Sequence, residues 1–113
     1  MTNTTLTLVG ASFVLALSSL SAHAAVDADA AKALFKDNEC TKCHAVDKAK
    51  KGPALKKIAE KYKGKADGQD KLVTNFTTGP KVKLEDGTEE KHKVVDSKDP
   101  KVLKNLADWI LSQ

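Results

Sequence analysis

Apolar positions fall at helical spacing in four short stretches of the chain, divided by lysine-rich and Gly-Pro segments. Ala30, Ala31, Leu34 and Phe35 share one side of Ala28–Lys36, which predicts an amphipathic helix. After the break at Gly52-Pro53, Leu55, Ile58 and Tyr62 stand at i, i+3 and i+7, so a second helix is expected over Ala54–Tyr62. Leu72, Val73 and Phe76 mark a third, from about Asp67 to Phe76. Asp99-Pro100 supplies an N-cap acid and a proline at the first helical position. From there Val102, Leu103, Leu106, Ala107, Trp109 and Ile110 trace a broad apolar stripe to the end.

The period changes between the third and fourth stretches. Val82–Val95 reads V-K-L-E-D-G-T-E-E-K-H-K-V-V, and Asp86-Gly87 is a hairpin turn signal. A two-residue turn puts His92 on the face of Lys83 and Glu90. A three-residue turn with a bulge moves it to the face of Val82 and Leu84, pointing inward. The pattern alone leaves both registers open.

The first 24 residues contain no Asp, Glu, Lys or Arg, and their apolar run Leu6–Leu20 ends at Ala22-His23-Ala24. That is the pattern of a secretory leader cleaved after Ala24, although its n-region lacks a basic side chain. The run is too short and too dilute for a membrane span. Residues 25–113 then form one small domain, with a core that is marginal unless something else fills it.

Charge narrows the class further. All 19 basic residues are lysine, against 15 acids, for a net charge of +4. Nucleic-acid readers lean on arginine and on interleaved aromatics. Here residues 25–113 offer only Phe35, Tyr62, Phe76 and Trp109 as aromatics. A lysine surface that steers an acidic protein partner is the better reading, and no nucleic-acid or lasting membrane partner is expected.

The chemistry sits in Cys40-Thr41-Lys42-Cys43-His44. C-x-x-C-H is the signature of covalent haem attachment, with the two thiols joined to the macrocycle and the histidine offered to the iron. A thioredoxin-like dithiol would want a βαβ context that the pattern lacks. A zinc site would have to join adjacent Cys43 and His44 to the distant His92. A Cys40–Cys43 disulfide would close too short a loop to stabilise much.

Taken together, the Leu34-Phe35 helix leading into C-T-K-C-H, Lys51-Gly52-Pro53-Ala54-Leu55 behind it, and the closing Leu106-Ala107-Asp108-Trp109-Ile110-Leu111 resemble the small mono-haem class I c-type cytochromes of bacteria. The resemblance implies an all-α, cytochrome c-like fold of three to four short helices around one covalent haem c, with a possible small hairpin in the distal loop. It implies thioethers at Cys40 and Cys43, His44 as proximal iron ligand, and the Pro53 carbonyl orienting His44. It also implies that Phe35 and Trp109 meet where the terminal helices cross, and that the protein is exported to the periplasm.

The departure from the family is equally informative. Its usual sixth ligand is a methionine before the last helix, and the only methionine here is Met1. His92 occupies that region, flanked by Lys91 and Lys93, and is the expected distal ligand. Asn75, Lys81, Lys83 and Lys91 are the other candidates, beside an open or water-bound site. With His92 bound in both redox states, the expectation is a monomeric, low-potential single-electron carrier and not an enzyme. Lys42, Lys48, Lys50 and Lys51 would help to dock its acidic redox partners. An open or labile sixth site would instead suit binding of O2, NO or CO.

Overall fold

Asp27 opens the first helix, α1 (Ala28–Asp37), by accepting the Ala30 N–H on its side chain. The computed structural model describes residues 25–113, so the expected leader, with Met1 and His23, lies outside the described residues. A single 3-10 turn, Cys40–Lys42, follows α1. Three further helices complete the chain: α2 (Leu55–Tyr62), α3 (Gly68–Thr78) and α4 (Pro100–Leu111). Two short antiparallel strands, β1 (Lys81–Lys83) and β2 (Glu89–Lys91), make a hairpin between α3 and α4. The result is the expected all-α fold with a small distal hairpin.

Helix α4 is the spine, because its stripe is wide enough to meet α1, α2 and α3 at once. Leu103, Leu106, Ala107, Trp109 and Ile110 are buried, while Val102 of the expected stripe stays exposed at the rim. Asp99 caps α4 through the Lys101 N–H, with Pro100 beside it. Phe35 of α1 meets Trp109 edge to face, with ring centroids 5.4 Å apart. The same pair of helices is clipped at its other end, where Asn105 exchanges two hydrogen bonds with the Asp27 backbone. Among the described residues, no helix is long and apolar enough to cross a membrane.

The hairpin settles its register on the three-residue turn. Val82 pairs with Glu90 and Lys83 with Glu89, and Leu84 and Thr88 close around Glu85, Asp86 and Gly87. Backbone alternation then puts His92 on the side of Val82 and Leu84. The two-residue turn that Asp86-Gly87 also allowed does not form, since Gly87 donates its N–H to Leu84 and serves as the bulge residue. Half-burying Val82 and Leu84 together with His92 against the cavity favours this register over one that would leave both apolar side chains in solvent.

Candidate functional site

A cavity of about 780 Å3 opens between the four helices and the hairpin. That lies within the range of about 300 to 1,000 Å3 typical of cofactor pockets. Its walls are mostly apolar, with Leu55, Ile58, Leu72, Phe76, Leu106 and Ile110 contributing from three helices. Cys40, Cys43 and His44 enter from one side and His92 from the other.

The proximal side is built over a few residues of chain. The 3-10 turn places both cysteines, unbridged, on the cavity wall. Burial raises the pKa of the Cys40 thiol from its ordinary value, so the sulfur is held as a neutral thiol in an apolar setting. His44 Nδ1 lies 2.7 Å from the Pro53 carbonyl oxygen. A carbonyl can only accept, so Nδ1 carries the proton and Nε2 keeps a free lone pair. Burial lowers the His44 pKa, the Pro53 hydrogen bond opposes the shift, and the nearby His92 adds to it. Gly52 is needed here for space. A Cβ at that position would come within 2.7 Å of His44 Cε1.

The distal side is assembled from longer reaches of chain. His92 donates its backbone N–H to Pro80 and points Nδ1 at the Lys93 carbonyl oxygen, 2.8 Å away. The same tautomer argument leaves its Nε2 free. Gly79, in the left-handed region at φ 60°, lies under the strap, the segment 92–99 that joins β2 to α4, where a Cβ would come within 2.8 Å of the His92 carbonyl oxygen. Asn75 of α3, Lys83 and Lys91 also line the cavity, whereas Lys81 is not part of its wall.

Distance then decides what the two histidines can share. Their ring centroids are 6.2 Å apart, with an interplanar angle of 41°. Two imidazoles bound through Nε2 on opposite sides of one metal have centroids about 6.3 Å apart, given metal–nitrogen bonds of about 2 Å and ordinary ring bonds. At a tetrahedral angle the separation would fall to about 5 Å. Among the described residues no three or more His, Cys, Asp or Glu converge on a metal position. The residues present therefore suit a metal held between opposed imidazoles, at the centre of a large apolar group tethered through thiols. A tetrahedral zinc site does not fit them.

Several contributors are not evident in the sequence pattern. The Lys93 carbonyl, Gly79 and the apolar wall of α3 carry no motif. Glu39, at φ 58°, binds Lys42 with one carboxylate oxygen at 2.9 Å and Lys93 with the other at 3.4 Å. The Lys42 hydrogen bond, with its charge and that of Lys93, lowers the Glu39 pKa. Of the lysines expected to dock a partner, Lys42 reaches the cavity wall; Lys48, Lys50 and Lys51 do not. Lys57, Lys61, Lys83, Lys91 and Lys93 join Lys42 there instead.

The family model for cytochrome c matches residues 28–113. Cytochrome c-551 of Pseudomonas denitrificans is 34% identical over 79 residues, spanning 70% of this chain and 92% of that protein. Cytochrome c-552 of Nitrosomonas europaea is 34% identical over 101 residues, spanning 80% and 81%. A shorter match, 46% identical, to cytochrome c-551 of Allochromatium vinosum spans 41% of this chain and 49% of that protein. Among solved structures, the class 1 cytochrome MtoD of Sideroxydans lithotrophicus ES-1 superposes with a TM-score of 0.74 at 56% identity, covering 78% of this chain and 97% of that one. The chain belongs to the cytochrome c family: it is a small class I c-type cytochrome, an electron carrier with covalently bound haem c as its cofactor.

Proposed function

We propose that this cytochrome is a periplasmic single-electron carrier whose haem iron is held between His44 and His92, with Cys40 and Cys43 forming the thioethers. The 6.2 Å separation of the two rings carries the reading, because it matches opposed ligation of one metal. Both rings also line the cavity with Nδ1 fixed by a backbone carbonyl, Pro53 for His44 and Lys93 for His92, which leaves each Nε2 free to bind. The leader pattern of residues 1–24, ending at Ala24, supports export and leaves 25–113 as the mature domain.

Bis-histidine ligation makes the potential lower than that of histidine–methionine relatives, since axial methionine raises it. The haem supplies the redox chemistry; the chain holds its iron, shields it in an apolar wall and presents a positive rim. Lys42, Lys57, Lys61, Lys83, Lys91 and Lys93 form that rim, which suits brief docking of an acidic partner by a monomeric carrier. An open sixth site for diatomic gases would require His92 to leave a position secured through both its backbone N–H and its ring.

The deciding experiment is the optical spectrum of the haem-loaded protein beside that of His92→Ala. Low-spin ferric bands in the parent and high-spin bands in the variant are expected. Identical spectra would remove His92 from the iron. Partner reduction rates are expected to fall as ionic strength rises, and rates indifferent to salt would count against docking through the lysine rim.

A further inference from the structure

Asn38 is the one buried polar side chain among the described residues, 5% exposed, and it stands two positions before the first cysteine. Its amide nitrogen donates to the Leu34 carbonyl at 3.0 Å, tying off the end of α1. Its amide oxygen accepts the Asp96 N–H at 2.8 Å, across 58 positions of sequence. Asp96 lies four residues after His92, just where the strap turns toward α4. Glu39 follows directly, and its carboxylate bridges Lys42, inside the C-T-K-C-H turn, to Lys93, beside His92. Lys93 is also the residue whose carbonyl holds the His92 ring.

Two consecutive residues on the proximal segment therefore grip the strap that carries the distal histidine, one through its backbone and one through a side chain. Glu39 does so from a left-handed conformation that a β-carbon disfavours. Glycine would relieve that strain but would bring no carboxylate.

We propose that Asn38 and Glu39 are positioning residues that hold His92 over the attachment segment and so set how often it leaves the iron. The inference rests on ligation by His92. Asn38 is the stronger grip, because its bond to Asp96 is part-buried, whereas the carboxylate of Glu39 and the ammonium of Lys93 are both about half exposed.

The test is the rate at which the reduced, haem-loaded protein takes up saturating carbon monoxide, a neutral probe that reports release of His92. Asn38→Ala is expected to raise that rate by roughly tenfold. Glu39→Gly is expected to raise it by about two- to fivefold while thermal stability holds or improves, since the strain goes with the carboxylate. Lys93→Gln, which keeps the carbonyl used by His92, is expected to match the rate of Glu39→Gly. The double variant should add nothing further. His92→Ala sets the upper limit. If the parent already binds the gas as fast as His92→Ala, the ligation reading fails and takes the proposal with it. If His92→Ala is fast while Glu39→Gly and Asn38→Ala match the parent, ligation stands and the positioning role is overturned.

Discussion

The two histidines face each other across one cavity, yet they are positioned by different kinds of information. His44 is set by residues within about ten positions of itself: the cysteine turn, Gly52 against the ring, and the Pro53 carbonyl at Nδ1. His92 is set by Gly79 and Pro80 just after α3, by the hairpin register, and by Asn38 and Glu39 from the far end of the sequence. Each histidine has a glycine close by, Gly52 against the ring of His44 and Gly79 against the backbone carbonyl of His92, and a carbonyl at its Nδ1. The proximal half is a local motif, and the distal half is an assembly. A motif survives as long as its own few residues do; an assembly depends on every element that it spans.

Substitutions at the two glycines test that contrast directly. Gly79→Ala is expected to have the larger effect, because it combines a left-handed backbone with backbone contact at the His92 carbonyl. A loss of about 3 kcal/mol is expected, together with high-spin character in the ferric spectrum. A stable, fully low-spin variant would show that the strap tolerates displacement and would dissolve the contrast. Gly52→Ala should cost less, about 1–3 kcal/mol, as its Cβ meets a ring that can tilt. Its signature should be a shifted potential with the low-spin spectrum kept; complete loss of ligation would make the proximal side the more fragile.

The smallest effect concerns the hairpin alone. Asp86 accepts hydrogen bonds from the Thr88 hydroxyl at 2.6 Å and the Thr88 N–H at 2.9 Å, which lower its pKa. A carboxyl with a depressed native pKa stabilises the fold above its unfolded pKa, and that contribution fades as pH falls through the native value. Asp86→Asn keeps an acceptor oxygen but cannot titrate. Its melting temperature should be slightly lower at neutral pH, with the gap to the parent closing below about pH 3.9. A constant gap across that window would place the effect in packing, not charge.

On the proximal side, C-x-x-C-H is a local signature, and the His44–Pro53 contact that the structure shows was expected from the resemblance to class I c-type cytochromes. The helices were legible for a related reason: apolar spacing and the Asp99-Pro100 start are local signals. They were less exact at the edges, where α3 runs on to Thr78 and Val102 falls outside the buried face. The hairpin was legible as a hairpin but not in its register. Asp86-Gly87 serves either turn, and only packing of Val82 and Leu84 into the cavity separates the two. Asn38, Glu39 and the Lys93 carbonyl were not legible at all. An asparagine at a helix end and a glutamate between charged neighbours look ordinary until a segment some 54 to 58 positions away is laid beside them.

The C-x-x-C-H signature and the apolar spacing by themselves pointed to the cofactor and the four helices, and only beside the resemblance to class I c-type cytochromes did the lack of any methionine beyond Met1 single out His92 as a candidate in its place. Tertiary structure alone decided that His92 faces inward, at 6.2 Å from His44, with its tautomer set and its strap held from the opposite side of the cavity. The reason is range. Bonds within a turn follow from neighbouring residues, whereas a side chain brought in across half the chain depends on the joint packing of everything between.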